Sequence, residues 1–347
     1  MKVVHILNSD KFSGAERVAI LIIHCLYQQG IDAYYVSPRG DIERRLKEEN
    51  IKYYPVDKMS PANMRKMQKD LQPDIVHAHD YTTSVICALS LKKPILSHLH
   101  NNSPWIKRPC FYSWLYAISA VRYKKIFLVS DAILKEYIFA KWIAKKCAVV
   151  GNPVRTNEIL KKSREPVECA EYDIIFVGRL SEPKNPFLLL DVVYELKKYF
   201  PGLRVCMIGD GELRSDLECR CKKLGLEDHV VWKGFLENPF PYVLQSKVFL
   251  IPSLWEGFGL AAAEALALGK PVVCTNVGGL RNIVDKNCGF LCEDKDGLIQ
   301  ACKTLLEDVG LYETMSSMAL RKAKKMDNEM YYMKKIVESY QEIHNKR

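Results

Sequence analysis

The chain has 347 residues, 48% hydrophobic and 27% charged, a globular composition that excludes a disordered or fibrous protein. That length exceeds what one hydrophobic core commonly supports, so two domains are expected. The net charge is +10, but residues 1–155 hold 24 Lys and Arg against 13 Asp and Glu, while residues 156–347 hold 27 against 28.

Short apolar, β-branched runs alternate with helical patterns along the whole chain. In the first half, strands are expected at 3–7, 33–37, 74–78, 94–98, 126–129 and 148–150. In the second they are expected at 173–177, 204–208, 230–232, 248–251, 271–274 and 289–291. Amphipathic helices are expected at 15–29, 186–199 and 213–224. Continuous apolar strands separated by helices mean parallel sheets covered on both faces, and the pattern occurs twice. The polar segment 152–170 has little periodicity and marks the seam. Ligands of such sheets bind beyond the carboxyl ends of the strands, so the loops there are where chemistry is sought.

Taken in chain order, the first such loop is "FSGAERV", with Gly14 inside it. His77-Ala-His79 and His98-Leu-His100 follow at two strand ends. Residues two apart share a face of a strand, so these four histidines could form a metal site. With no carboxylate or thiolate partner evident, ordinary strand-end histidines are the preferred reading, and no metal is expected. Residues 101–125 hold five cations, six aromatics and no acid. They read as a helix with one apolar and one basic face, suited to an anionic membrane surface. Stacking on single-stranded nucleic acid is the weaker alternative, and no nucleic-acid partner is expected.

In the second half, "GRLSEPKNP" leaves a strand and carries Arg179 and Lys184, two cations suited to a diphosphate. "GDGELR" follows the next strand, and Gly209 permits close backbone approach. After the strand at 248–251 comes "PSLWEGFGLAAAEALALG". Glu256 precedes a helix starting near Leu260, and Glu264 lies one to two turns inside it. Gly257 and Gly259 make the loop pliable, and free amides at the helix start favour an anion. A carboxylate can accept two hydrogen bonds from a vicinal diol. Amides for phosphate, acids for hydroxyls and cations for diphosphate together describe a nucleotide-sugar site.

"GRLSEPKN", "GDGELR" and "SLWEGFGLAAAEALALGKPVV", in this order, resemble the C-terminal domain of glycosyltransferase family 4, with its E-x7-E motif. "FSGAERV" and "GNPV" are similar to further landmarks of that family. The resemblance implies a GT-B fold of two Rossmann-like doubly wound domains facing across a cleft. It implies an acceptor-binding domain at 1–155 and a donor-binding domain at 156–327, with a C-terminal helix at about 328–347 packed back on the first. It implies a retaining transferase acting by front-face attack, without a metal, with His100, Arg179, Lys184 and Glu256 in the catalytic set. Arg179 and Lys184 would hold the donor diphosphate, Glu256 the transferred sugar and Glu264 the ribose diol. Amides of Phe258, Gly259 and Leu260 would reach phosphate or sugar, Gly14 would let its loop near the phosphates, and His100 would face the sugar. The donor would be a UDP-sugar, a hexose or N-acetylhexosamine. The acceptor would be a glycan or lipid-linked, in bacterial surface polysaccharide synthesis. A binding-only member or a 2-epimerase-like enzyme are the alternatives.

No run of about 18 apolar residues occurs. The start, "MKVVHILNSD", lacks the apolar region of a signal peptide. The twelve cysteines contain no C-x-x-C pair, so they are expected to be reduced thiols. The expected location is the cytoplasm, with peripheral contact at the inner face of the cell membrane.

Overall fold

The structure, a computed structural model, describes residues 1–168 and 171–345. It divides into two compact units, one of residues 1–153 with 329–347 and one of residues 154–328. Each unit is built on one parallel sheet, as the alternating pattern predicts.

The first sheet contains β1 (Lys2–Ile6), β2 (Asp32–Pro38), β3 (Tyr53–Val56), β4 (Ile75–His79), β5 (Ile95–Leu99), β6 (Tyr123–Leu128) and β7 (Cys147–Val149). Its order is β3-β2-β1-β4-β5-β6-β7. β3 is absent from the sequence expectation. It reads "YYPV", four residues interrupted by Pro55, and a proline in a strand is tolerated at a sheet edge, where β3 lies. The helix Gly14–Gln28 covers the sheet, burying Val18, Ile22 and Leu26 in the same core as Val3 and Tyr35. The helix Glu329–Asn345 returns to this core with Tyr332, Ile336 and Tyr340 fully buried.

The second sheet contains β8 (Tyr172–Val177), β9 (Val205–Ile208), β10 (Val230–Gly234), β11 (Ser246–Ile251), β12 (Val272–Thr275) and β13 (Gly289–Cys292). Its order is β10-β9-β8-β11-β12-β13. Every strand pairing in both sheets is parallel. The helix Leu260–Ala267 buries Ala262, Ala263 and Ala265 in one cluster with Ala319 and Ala323 of the helix Val309–Met326. Small side chains on both surfaces let the two helices approach closely, which explains the alanine-rich run around Glu264.

Residues 101–125 are not one helix. They form a 3-10 turn at Pro104–Lys107, a helix at Phe111–Ser119, a second 3-10 turn at Ala120–Arg122 and the start of β6. The cysteines among the described residues are all free. No helix among the described residues is long and apolar enough to cross a membrane.

Candidate functional site

Strand order locates the sites. In each sheet the chain leaves two neighbouring strands in opposite directions at one point, and a crevice opens beyond their carboxyl ends. That point lies between β8 and β11 in the second unit and between β1 and β4 in the first.

The loop after β8 reaches Lys184 through a 3-10 turn at Glu182–Lys184, and the loop after β11 carries Glu256. The two loops are tied together: the Leu254 amide donates to the Pro183 carbonyl at 2.8 Å. Lys184 Nζ forms an ion pair with Glu256 Oε1. Ser253 Oγ donates to the same oxygen at 3.0 Å. Both side-chain bonds therefore fall on Oε1, and Oε2 takes none among the described residues. Glu256 is 8% exposed, so it is a largely desolvated carboxylate held in place by a cation and a hydroxyl.

The surrounding loops are close-fitted backbone. The Gly279 amide donates to the Glu256 carbonyl at 2.9 Å, and Thr275 Oγ1 donates to the Ser253 carbonyl at 2.5 Å. A Cβ on Gly279 would lie 2.4 Å from the Gly257 carbonyl oxygen. Gly259 has φ +94 and caps the helix Leu260–Ala267, where Glu264 is half-buried in the second turn. Gly257 is buried, whereas Phe258 and Leu260 are half-buried at the helix start. Gly209 has φ +136, and a Cβ there would sit 1.9 Å from the Gly178 carbonyl oxygen. What approaches Gly209 closely is thus the chain's own backbone. Arg179 stands exposed on the loop after β8, apart from the ion pair. Sequence reasoning assigned Lys184 and Glu256 to different parts of a ligand and did not join them. It also passed over Ser253 and Gly279, which bond Glu256, and Thr275, which bonds Ser253; the adjacent Gly278-Gly279 after a strand was the available signal.

In the first unit, a cavity of about 290 Å³ lies at the switch point, lined in part by Asn8, Ser9, Glu16, His79, Asp80 and Asn101. Asp80 opens the helix Asp80–Ser90 with φ 68, a conformation uncommon for a residue with a side chain. Its Oδ1 accepts the His100 backbone N–H at 3.0 Å. Burial pushes its carboxyl up to about 7, against the lowering effect of that hydrogen bond. Glu16 is buried and bonded by Ser13 Oγ at the start of the helix that carries Gly14. A Cβ on Gly14 would meet nothing within 4 Å. Neither Asp80 nor Glu16 was singled out from sequence, though each is an acid next to a recognised landmark.

His100 follows β5 and is half-buried. His98, His77 and His79 are fully buried, and His5 of β1 joins them. His5, His77 and His79, and likewise His79, His98 and His100, each place one nitrogen per residue within 4.8 Å of the others. Burial holds His5 and His100 down at about 3, and the other three also well below the usual range.

Two family models match end to end, Glycosyltransferase Family 4 at residues 12–158 and Glycosyl transferases group 1 at residues 158–322. The chain belongs to the group 1 glycosyltransferases. This glycosyltransferase has the GT-B fold. It is 33% identical over 187 residues to the N-acetylgalactosamine-N,N'-diacetylbacillosaminyl-diphospho-undecaprenol 4-alpha-N-acetylgalactosaminyltransferase of Campylobacter jejuni. That match covers 53% of the chain and only 50% of the relative's length. It is 24% identical to the UDP-Gal:alpha-D-GlcNAc-diphosphoundecaprenol alpha-1,3-galactosyltransferase of Escherichia coli, over 89% of the chain and 88% of that protein. The solved structure of Anabaena HepE with UDP-glucose superposes with a TM-score of 0.86 at 22% identity, covering 99% of this chain and all of that one.

Proposed function

We propose that this glycosyltransferase moves a hexose or N-acetylhexosamine from a UDP-sugar to a lipid-diphosphate-linked acceptor, with retention and without a metal, in surface polysaccharide assembly. The observation that carries this reading is the Lys184–Glu256–Ser253 arrangement at the switch point, directly before a helix N-terminus. Such a site offers a cation and free amides to a diphosphate and a fixed carboxylate to sugar hydroxyls. The acceptor and nucleotide classes come from what the Campylobacter and Escherichia relatives and the HepE complex are named for.

In this reading Arg179 and Lys184 act on the charge that builds on the leaving diphosphate, joined by the amides of Phe258, Gly259 and Leu260. Glu256 Oε2 accepts from the transferred sugar, and Glu264 from the ribose diol. In the first unit, His100 and Gly14 are the candidates for a part in transfer. A leaving phosphate oxygen takes the acceptor's proton on the same face of the sugar.

The protein works in the cytoplasm against the inner face of the membrane. Phe111, Ile118 and Val121 are 73%, 58% and 77% exposed. Beside Val121 opens a cavity of about 660 Å³, lined by Lys92, Lys93, Arg122, Lys124, Lys145 and Lys146 among others. Lys146 Nζ donates to the Val121 carbonyl at 3.0 Å, which joins the basic basin to the apolar ridge. Apolar groups beside clustered cations suit an anionic bilayer.

The test is a thermal-shift and calorimetric screen of UDP, GDP and their sugars, each with Mg²⁺ and with EDTA. Saturable stabilisation by UDP-sugars in EDTA, lost in Glu264→Ala, is expected. Stabilisation by no nucleotide overturns the reading.

A further inference from the structure

Seven cations line the cavity beside Val121, at the amino ends of β5, β6 and β7. These strands are neighbours at one edge of the first sheet. Lys92 and Lys93 stand before β5, Arg122 stands before β6 with Lys124 just inside it, and Lys145 and Lys146 stand before β7. The seventh cation, Lys125, meets the one acid of the lining: its Nζ lies 3.6 Å from Glu342 and donates to Ser339 Oγ at 2.8 Å. The other six have no carboxylate partner among the described residues.

Two of the six are anchored by the fold. Arg122 Nη2 donates to the Leu91 carbonyl at 2.8 Å. Lys146 Nζ donates to the carbonyls of Ala120 and Val121 at 2.8 and 3.0 Å. A cation already held in place loses little further freedom when an anion arrives. The crowding registers on Lys146: burial first, and then the charge of Lys124, hold its ammonium below the ordinary lysine range. Like charges gathered in this way repel one another, and a polyanion relieves the repulsion.

The fold narrows the choice of anion. Adjacent strands lie about 4.8 Å apart, so the cations before β5 and those before β7 are separated by about 10 Å across β6. One phosphate group is too small to meet both sets, whereas two phosphates on one molecule can. The crevice at the switch point lies beyond the carboxyl ends of the strands, and the five residues of β5 put about 17 Å between it and the basin. The anion held here is therefore not the group that reacts. Val121, 77% exposed, adjoins Arg122 at the rim. An apolar flank suits an anion that carries acyl chains.

We propose that this basin is a headgroup pocket for a membrane lipid bearing two phosphates, with Val121 entering the acyl region beside it. The inference rests on the membrane contact proposed above and gives that contact a ligand class.

The test is co-sedimentation of the full-length protein with phosphatidylcholine vesicles. One set carries cardiolipin, with two phosphates per molecule; the other carries twice as much phosphatidylglycerol, with one, so that surface charge is equal. Tighter binding to cardiolipin, by about fivefold, is expected. Lys93→Gln and Lys145→Gln remove side chains that bond nothing else among the described residues. Each is expected to weaken cardiolipin binding about fivefold, the worth of one cation at an anionic surface, and to erase most of the preference. Lys141→Gln removes an equal charge from an exposed position outside the basin and is expected to leave the preference intact. Equal binding to the two lipids, or a preference that survives both basin changes, overturns the proposal, because charge density alone would then account for binding. So does tighter binding to vesicles carrying a polyprenyl diphosphate, which would make the basin an acceptor site, or to inorganic diphosphate in solution. Binding to no vesicle overturns it together with the membrane contact, while the nucleotide screen reports separately on the transferase reading.

Discussion

Lys184 and Glu256 are 72 residues apart in sequence and share one ion pair at the carboxyl ends of neighbouring strands. Because Ser253 fixes the same carboxylate oxygen and the Leu254–Pro183 backbone bond joins the two loops, the pair is a fixed element. Removing either partner leaves the other a largely desolvated charge. Lys184→Ala and Glu256→Ala are each expected to abolish UDP-sugar turnover and to cost about 1–3 kcal/mol. The double variant is expected to cost less than the sum, since the second change removes an already unpaired group. Urea unfolding of the three variants checks this; strictly additive losses would mean that the pair is not coupled.

The glycines divide into two kinds. Gly209→Ala would drive a Cβ into the Gly178 carbonyl at a backbone angle that side chains rarely adopt. A loss of about 3 kcal/mol or more is expected in the second unit. Gly14→Ala meets only open space, so stability should be unchanged or raised by about 0.5–1 kcal/mol. Reduced UDP-sugar turnover in a fully stable Gly14→Ala protein would place the ligand against this loop; full turnover would remove Gly14 from the site.

Acid should unfold the first unit early. The unfolded chain protonates its histidines near pH 6.5, whereas burial lowers the five in the cluster, His5 and His100 to about 3. Below pH 6.5 the unfolded state therefore binds more protons, and stability falls with pH by about 1.4 kcal/mol per unit for each histidine. Asp80 works in the other sense: its folded value is raised to about 7, so between there and its ordinary value the folded state holds the extra proton. The net slope is that of about four histidines. Urea midpoints between pH 7.5 and 5 measure it, and a flat profile would contradict the buried neutral cluster.

Asp80→Asn keeps an acceptor for the His100 amide and suits the left-handed backbone. It removes a carboxyl that burial disfavours ionising. At pH 8 the variant is expected to be at least as stable as the parent. Asp80→Ala loses the bond and adds backbone strain, and should be about 2 kcal/mol less stable. Thermal melts that rank Ala above Asn would sink this account.

Much of the fold was legible because buried parallel strands are continuous apolar runs, and β8, β9, β11 and β12 announce themselves in that way. β3 did not, since an edge strand of four residues with Pro55 carries no such run. Residues 101–125 read as one helix because their aromatics recur at helical spacing, yet Tyr123 enters β6. On the site side, the loops holding Arg179, Lys184 and Glu256 could be placed at strand ends from pattern alone. That Lys184 pairs with Glu256 could not, because it depends on β8 and β11 being neighbours, a fact of strand order. The histidine cluster was half visible: the two His-x-His pieces stand out, but His5 joins them only through packing.

The helix Glu329–Asn345 has a consequence for how the molecule is made. The core of the first unit needs Tyr332, Ile336 and Tyr340, which follow the whole second unit in the chain. During synthesis the first 153 residues emerge with their core open, and the second unit can complete itself before they do. A premature stop directly after residue 328 would therefore leave the earlier-made unit unfinished while sparing the later-made one.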